Sequence, residues 1–187
     1  LSDLNSLVNL IVKKERILES FEYEILSSND TNITVIKKKE DLYYFGFVNV
    51  NSISDLEIVI NKMKKKVNKK LIGPINGNTF YPYRFVLDNF DWVLYPDLNN
   101  NKETLDLFYK QGFKINQLYS STLGKVNEKI YGRAKKCQLT SDYTIKVVEG
   151  KECYNYVEDL YEVAVETFKN ADYYEEISKV DFVDMYL

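Results

Sequence analysis

Residues 42–76 constrain the fold of this chain more than any other stretch. An apolar run, "LYYFGFVNV", leads into "SDLEIVINKMKKKV", and "KLIGPI" follows. In the middle segment Leu56, Val59, Ile60, Met63 and Val67 recur at helical spacing, so one stripe of an amphipathic helix needs a surface to cover. Two short apolar strands joined by a single such helix form a parallel pair with a right-handed crossover. The expectation is an α/β fold with a mixed sheet, "YYFGFVNV" interior and "KLIGPI" beside it. Ser54 or Asp55 is placed to cap the helix.

The flanking segments extend this pattern. Leu4, Leu7, Val8, Ile11 and Val12 outline an N-terminal helix running towards Leu18. "ITVIKKKEDLYYFGFVNV" reads as a strand, a charged turn over Lys37 to Asp41, and a strand from Leu42 to Val50. "DWVLYPDL" and "FKINQLYSSTL" read as further strands. Between them Lys102 to Gln111 is helical, with Leu105 and Phe108 inward and Gly112 at its C-terminus. Three regions follow: a domain over 1–125, a polar linker over 126–142, and a new unit over 143–187. The last opens with the strand "YTIKVVEG" and a helix whose inward stripe is Leu160, Val163, Ala164 and Phe168. That piece buries too little to stand alone, so it either packs on the first domain or begins a domain that continues beyond Leu187. The first residue is not Met, which suggests a chain trimmed at that end.

The chain has no histidine. That removes Ser-His-Asp and Cys-His catalysis and the commonest general base near neutral pH. With only Cys137 and Cys153 besides, no transition-metal site is expected, and a reduced, cytoplasmic setting fits best. A net charge of −3 offers no global attraction to nucleic acid or to an anionic membrane, and no apolar run is long enough to span a bilayer. The lysines of "NKMKKKVNKK" lie opposite the apolar stripe and read as a solvated face. Glu158, Asp159, Glu162 and Glu166 read the same way.

The stretch "KKLIGPINGNTFYPYRFV" concentrates glycine, proline and asparagine beside aromatic residues and a single arginine. Asn76 and Asn78 suit tight turns, and they also suit a loop shaped around a substrate. Arg84 either stacks on the neighbouring rings or offers a fork to a carboxylate or phosphate. These three residues are the substrate-binding candidates.

Two motifs carry a resemblance. "NNNKETLDLFYKQGFKINQLYSSTL" is similar to the late strand–Asn–helix–Gly-Phe–strand unit of the GNAT superfamily of N-acyltransferases. "LIGPINGNTFYPYRFV" resembles the GPxN segment of a tandem-domain bacterial subgroup of that superfamily, and the final segment looks like the opening of a second such domain. The resemblance implies a GNAT-like central sheet flanked by helices, and transfer of an acyl group, acetyl above all, from acyl-CoA to an amine without metal. The acceptor would be a small-molecule or peptide amine, and a homodimer is compatible with it. Family precedent puts cofactor contacts at the splayed end of the central strand and its following connection, here Val48, Asn49, Val50, Asn51, Ser52 and Ser54. It adds Asn100 ahead of the late helix.

Two departures favour a second reading, a GNAT-like binding or regulatory module without turnover. The connection "NVNSISD" lacks the glycines and the basic residue that hold a pyrophosphate on backbone N–H groups in the family. Asp55 there would oppose an anion, so Asp55→Asn is expected to strengthen any CoA binding. The position of the family's catalytic tyrosine, four residues before the glycine, holds Phe108. Tyr109 is the catalytic candidate, but one residue later is about 100° further round the helix.

Overall fold

The computed structural model describes residues 13–92, 94, 97–121, 132–133, 135–136 and 148–186. The chain divides into two units, Leu1–Gln117 with Ala171–Glu175, and Leu118–Asn170 with Glu176–Leu187. Helix α1 is described over residues 13–18, and the more N-terminal apolar positions expected on it lie outside the described residues.

The first unit holds β1 (Glu22–Ser28), β2 (Thr31–Lys39), β3 (Leu42–Asn49), α2 (Ile53–Lys66) and β4 (Lys70–Ile72). They form a four-stranded sheet in the order β1-β2-β3-β4, antiparallel except for the parallel β3–β4 pair. The interior position of β3 and its parallel neighbour across a helical crossover agree with the expectation. Strand β1 was not expected. Its segment "EYEILSS" alternates glutamates with Tyr23 and Ile25, and an edge strand leaves both of these large residues exposed, so no apolar run announces it.

Period-two alternation sends β2 and β3 side chains to two cores. Ile33, Val35 and Phe45 join the α2 stripe of Leu56, Val59, Ile60 and Met63 on one face. Ile36 and Tyr44 join Leu18 and Ile75 in the second cluster. The four α2 residues are fully buried, which at about 1.5–3 kcal/mol each gives on the order of 10 kcal/mol before conformational entropy is subtracted. Ser52, not Ser54 or Asp55, is the α2 N-cap. Its Oγ accepts from Asp55 N–H at 3.1 Å and donates to Asp55 Oδ2 at 2.6 Å. The cap lies one residue before the first helical turn because Ser52 still has extended backbone angles, from which its hydroxyl reaches a free N–H.

The remaining strands of this unit are short. β5 (Arg84–Phe85) and β6 (Asp97–Leu98) form a separate parallel pair. The strand expected over "DWVLYPDL" therefore reduces to Asp97–Leu98, with residues 93, 95 and 96 outside the description. "KLIGPI" is strand only as far as Ile72, where the peptide from Gly73 to Pro74 is cis. Residues 113–121 are not in a strand, contrary to expectation, and 114–121 are exposed. Helix α3 (Lys102–Lys110) ends as expected: Gly112 has φ +88°, its N–H donates to Tyr109, and Phe113 N–H donates to Phe108. This paired arrangement satisfies two terminal carbonyls and seats Phe113 against Phe108, with ring centroids 5.1 Å apart.

Residues 171–175 belong to this unit. Tyr173 meets Tyr44 edge-on at 5.8 Å, Tyr174 meets Phe80 at 5.9 Å, and Glu175 pairs with Lys38.

The second unit has a 3-10 turn (Gly150–Tyr156), α4 (Val157–Phe168) and α5 (Lys179–Tyr186). Ser178 Oγ accepts from Asp181 N–H at the start of α5. The stripe expected to face inward from α4 does not: Leu160, Val163 and Phe168 are exposed, Val163 at 64%, and no residue of α4 is buried. What α4 contributes is Tyr161, which packs edge-on against Phe182 and donates to Ile177 O at 2.7 Å. An apolar stripe turns inward only when another surface covers it, and among the described residues Leu160, Val163 and Phe168 stay exposed. The strand expected over "YTIKVVEG" lies mostly outside the described residues, as do Cys137 and most of the linker.

Candidate functional site

The carboxyl end of β3 departs from regular pairing. Between Asn32↔Asn49 and Thr34↔Gly46, β3 takes three steps against two of β2, so one residue bulges. Phe47 sits in that bulge with φ +48°, a conformation that costs a bulky residue about 1–2 kcal/mol unless neighbours hold it.

The neighbours come from the Gly/Pro/Asn loop. Phe47 N–H donates to Asn76 Oδ1 at 2.6 Å, and Ile75 N–H donates to Phe45 O at 2.7 Å. The approach is close enough to exclude side chains. A Cβ on Gly46 would lie 2.1 Å from Ile75 O, and one on Gly73 would lie 2.3 Å from Phe45 O. Asn78 is buried, and its Oδ1 accepts from Phe80 N–H at 2.8 Å. Both asparagines thus hold backbone, and the loop fills the gap beside β3. Arg84 pairs with Asp97 across β5–β6, with its guanidinium 5.6 Å from the Tyr83 ring centroid. None of the three substrate-binding candidates lines the cavity described next.

Beyond the bulge lies a cavity of about 360 Å³. Val48 to Ile53 form one wall, and Phe85 with Leu98 to Asn101, Glu103 and Thr104 form the other. Val48, Asn49, Val50, Asn51, Ser52 and Asn100, all expected at a cofactor site, come together here. Ser54 does not line it, and its hydroxyl lies 3.2 Å from Ser52 Oγ. Tyr109 lies outside the cavity and is exposed, while Phe108 is buried and stacks on Phe45 at 5.2 Å. The late-helix residues Asn101, Glu103 and Thr104 were missed, although the run of asparagines before α3 is an N-cap signal. Asn101 Oδ1 accepts from Thr104 N–H at 2.9 Å. Asn100 acts as a backbone surrogate, its amide accepting from Val86 N–H and donating to Val86 O.

The start of α2 forms part of the wall, yet most of its donors point away. Asn51 and Ser52 N–H donate to the buried Thr31 Oγ1 at 2.9 and 3.3 Å, and Asp55 and Leu56 N–H to Ser52. Helical geometry leaves the Ile53 and Ser54 N–H groups without an acceptor in the first turn. The Asp55 carboxylate receives Ser28 Oγ at 2.7 Å and Asn29 Nδ2 at 2.8 Å, so it ties α2 to the β1–β2 turn. Hydrogen bonds from Ser52 and then Ser28 hold its carboxyl below the usual range, against a smaller push from desolvation. Glu103 is the ionisable residue of the lining.

Among the described residues no group of three or more His, Cys, Asp or Glu could hold a metal, and no helix is long and apolar enough to cross a membrane. Lysines of α2 bond within the chain: Lys62 to Ser27 O, Lys64 to Gln111 O, and Lys66 to Glu24. No family model, no curated protein and no solved structure matches the chain.

Proposed function

We propose that the first unit is a GNAT-like N-acyltransferase domain that takes acyl-CoA, acetyl-CoA above all, into the cavity beyond the β3 bulge. The observation that carries this reading is the meeting of Val48 to Ser52 with Asn100 across one cavity. These two stretches, separated by α2, β4, β5 and β6, are those the family resemblance assigns to the cofactor. The chemistry is direct: an amine nitrogen bonds to the thioester carbonyl carbon, the carbon–sulfur bond breaks, and the thiolate leaves. A carboxylate takes the amine proton through water, and the thiolate is protonated from solvent. This needs neither histidine nor metal.

A second reading, binding without turnover, is favoured by a specific observation. Phe108 faces the core, and Tyr109 lies outside the cavity, so α3 offers no phenol to the leaving thiolate. Calorimetry with CoA and thiol release from acetyl-CoA with a panel of amines decide between them. Binding with amine-dependent release supports the transferase, binding alone supports the module, and absence of both overturns the CoA assignment.

A further inference from the structure

We propose that the first unit carries a docking groove for an acidic, tyrosine-bearing peptide segment of a partner protein, and that the chain's own residues 172–175 occupy it as a competitor in cis. The groove is separate from the cavity beyond the β3 bulge, since none of its residues lines that cavity. Four consecutive side chains of the occupant each meet a partner. Asp172 Oδ2 accepts from Gln117 Nε2 at 2.5 Å, and the Tyr173 hydroxyl accepts from Asn116 Nδ2 at 2.5 Å. The Tyr173 ring stands edge-on to Tyr44 and the Tyr174 ring edge-on to Phe80, and both rings of this floor are buried. Glu175 pairs with Lys38, whose side chain is 18% exposed against 28% for the carboxylate. An ion pair this far out of water discriminates strongly, because a ligand without the carboxylate leaves Lys38 desolvated and unpaired.

Two features mark residues 172–175 as an exchangeable occupant. They lie in no helix or strand, and they reach these partners through side chains, while Tyr174 N–H closes a local turn onto Ala171 O at 3.2 Å. Tyr173 also has φ +64°, a left-handed conformation that a bulky residue holds only against strain. A separate peptide that offers a carboxylate, two aromatic rings and a second carboxylate in this order, free of that strain, fits the same groove. Phosphate on its first tyrosine would sit beside Asn116 and the neighbouring carboxylate, away from Lys38, so the unmodified peptide is the ligand.

The test uses a fluorescent synthetic peptide with the sequence of residues 170–176, NADYYEE, and the full chain with and without Tyr173→Gly, Tyr174→Ser and Glu175→Ser together. Fluorescence anisotropy should show saturable binding to the triple variant and at least about tenfold weaker binding to the parent, whose own segment competes at a high effective concentration. Adding Lys38→Glu to the triple variant should weaken this peptide about tenfold and favour one carrying lysine at the position of Glu175. A peptide phosphorylated on its first tyrosine should bind more weakly than the unmodified one. No binding to the triple variant, or equal binding to parent and variant, would overturn the proposal. So would a triple variant that no longer folds by circular dichroism, because the segment would then be core and not an occupant. Sizing chromatography over a range of concentrations tests a second copy as occupant. A dimer of the parent that the triple variant does not form would assign the groove to the chain itself in trans, and would overturn the partner assignment.

Discussion

The side chain of Asn76 accepts the backbone N–H of Phe47 at 2.6 Å, across 29 residues of chain. That bond closes the gap beside the β3 bulge with the protein's own loop. Asn76→Ala is expected to leave a part-buried N–H unsatisfied and to lower stability by about 1–3 kcal/mol. Urea denaturation of the two proteins measures it, and a change below a few tenths of a kcal/mol would mean that water replaces the amide.

Two glycines separate steric crowding from backbone conformation. Gly46→Ala would drive a methyl into Ile75 O and is expected to cost at least about 1–3 kcal/mol, with loss of the β3–loop contact. Gly112→Ala meets open space but keeps φ +88°, so its cost is expected at about 1 kcal/mol. Thermal unfolding should rank Gly46→Ala well below Gly112→Ala, and the reverse order would place the strain at the α3 terminus.

The α2 cap makes a pH-dependent contribution. Asp55 has its folded-state pKa depressed, chiefly by Ser52 and Ser28. Its contribution is therefore present above the unfolded carboxylate pKa and is lost as pH falls through the folded one. Ser52→Ala should cost about 1 kcal/mol near neutral pH and flatten part of the acid-side decline. Asp55→Asn should flatten it as well. Stability curves from neutral pH down to about pH 3 check both, and an acid limb identical in all three proteins would remove Asp55 from the account.

Phe108→Tyr restores the residue type that the resemblance expects at this point. Because Phe108 is buried between Phe45, Phe85 and Phe113, the added hydroxyl is expected to enter the core. The outcome should be a loss of about 1–3 kcal/mol with no gain in thiol release from acetyl-CoA. A rise in turnover would show that the ring reaches the reacting sulfur.

Local chemistry made some elements readable in advance. The α2 stripe repeats every three or four residues, and its two flanking apolar strands leave one handed way to cover it. The Gly112–Phe113 pair after α3 specifies its own terminus, since a left-handed glycine and a returning aromatic are properties of a few adjacent residues. The stretch at the end of β3 was named through the family resemblance alone, and the bulge beside the cavity it lines is a property of the β2–β3 pairing.

Tertiary structure decided the rest. Asn76, Asn78 and Arg84 have the polarity of ligand-binding groups, and the sequence does not say which partner each meets. The fold spends all three internally, on Phe47, Phe80 and Asp97. Residues 113–121 carry apolar residues but lack a strand partner among the described residues, and Leu160, Val163 and Phe168 of the α4 stripe are exposed. Periodicity states what a segment can bury. Whether it does so depends on contacts between residues far apart in the chain, and those are settled only when the whole unit packs.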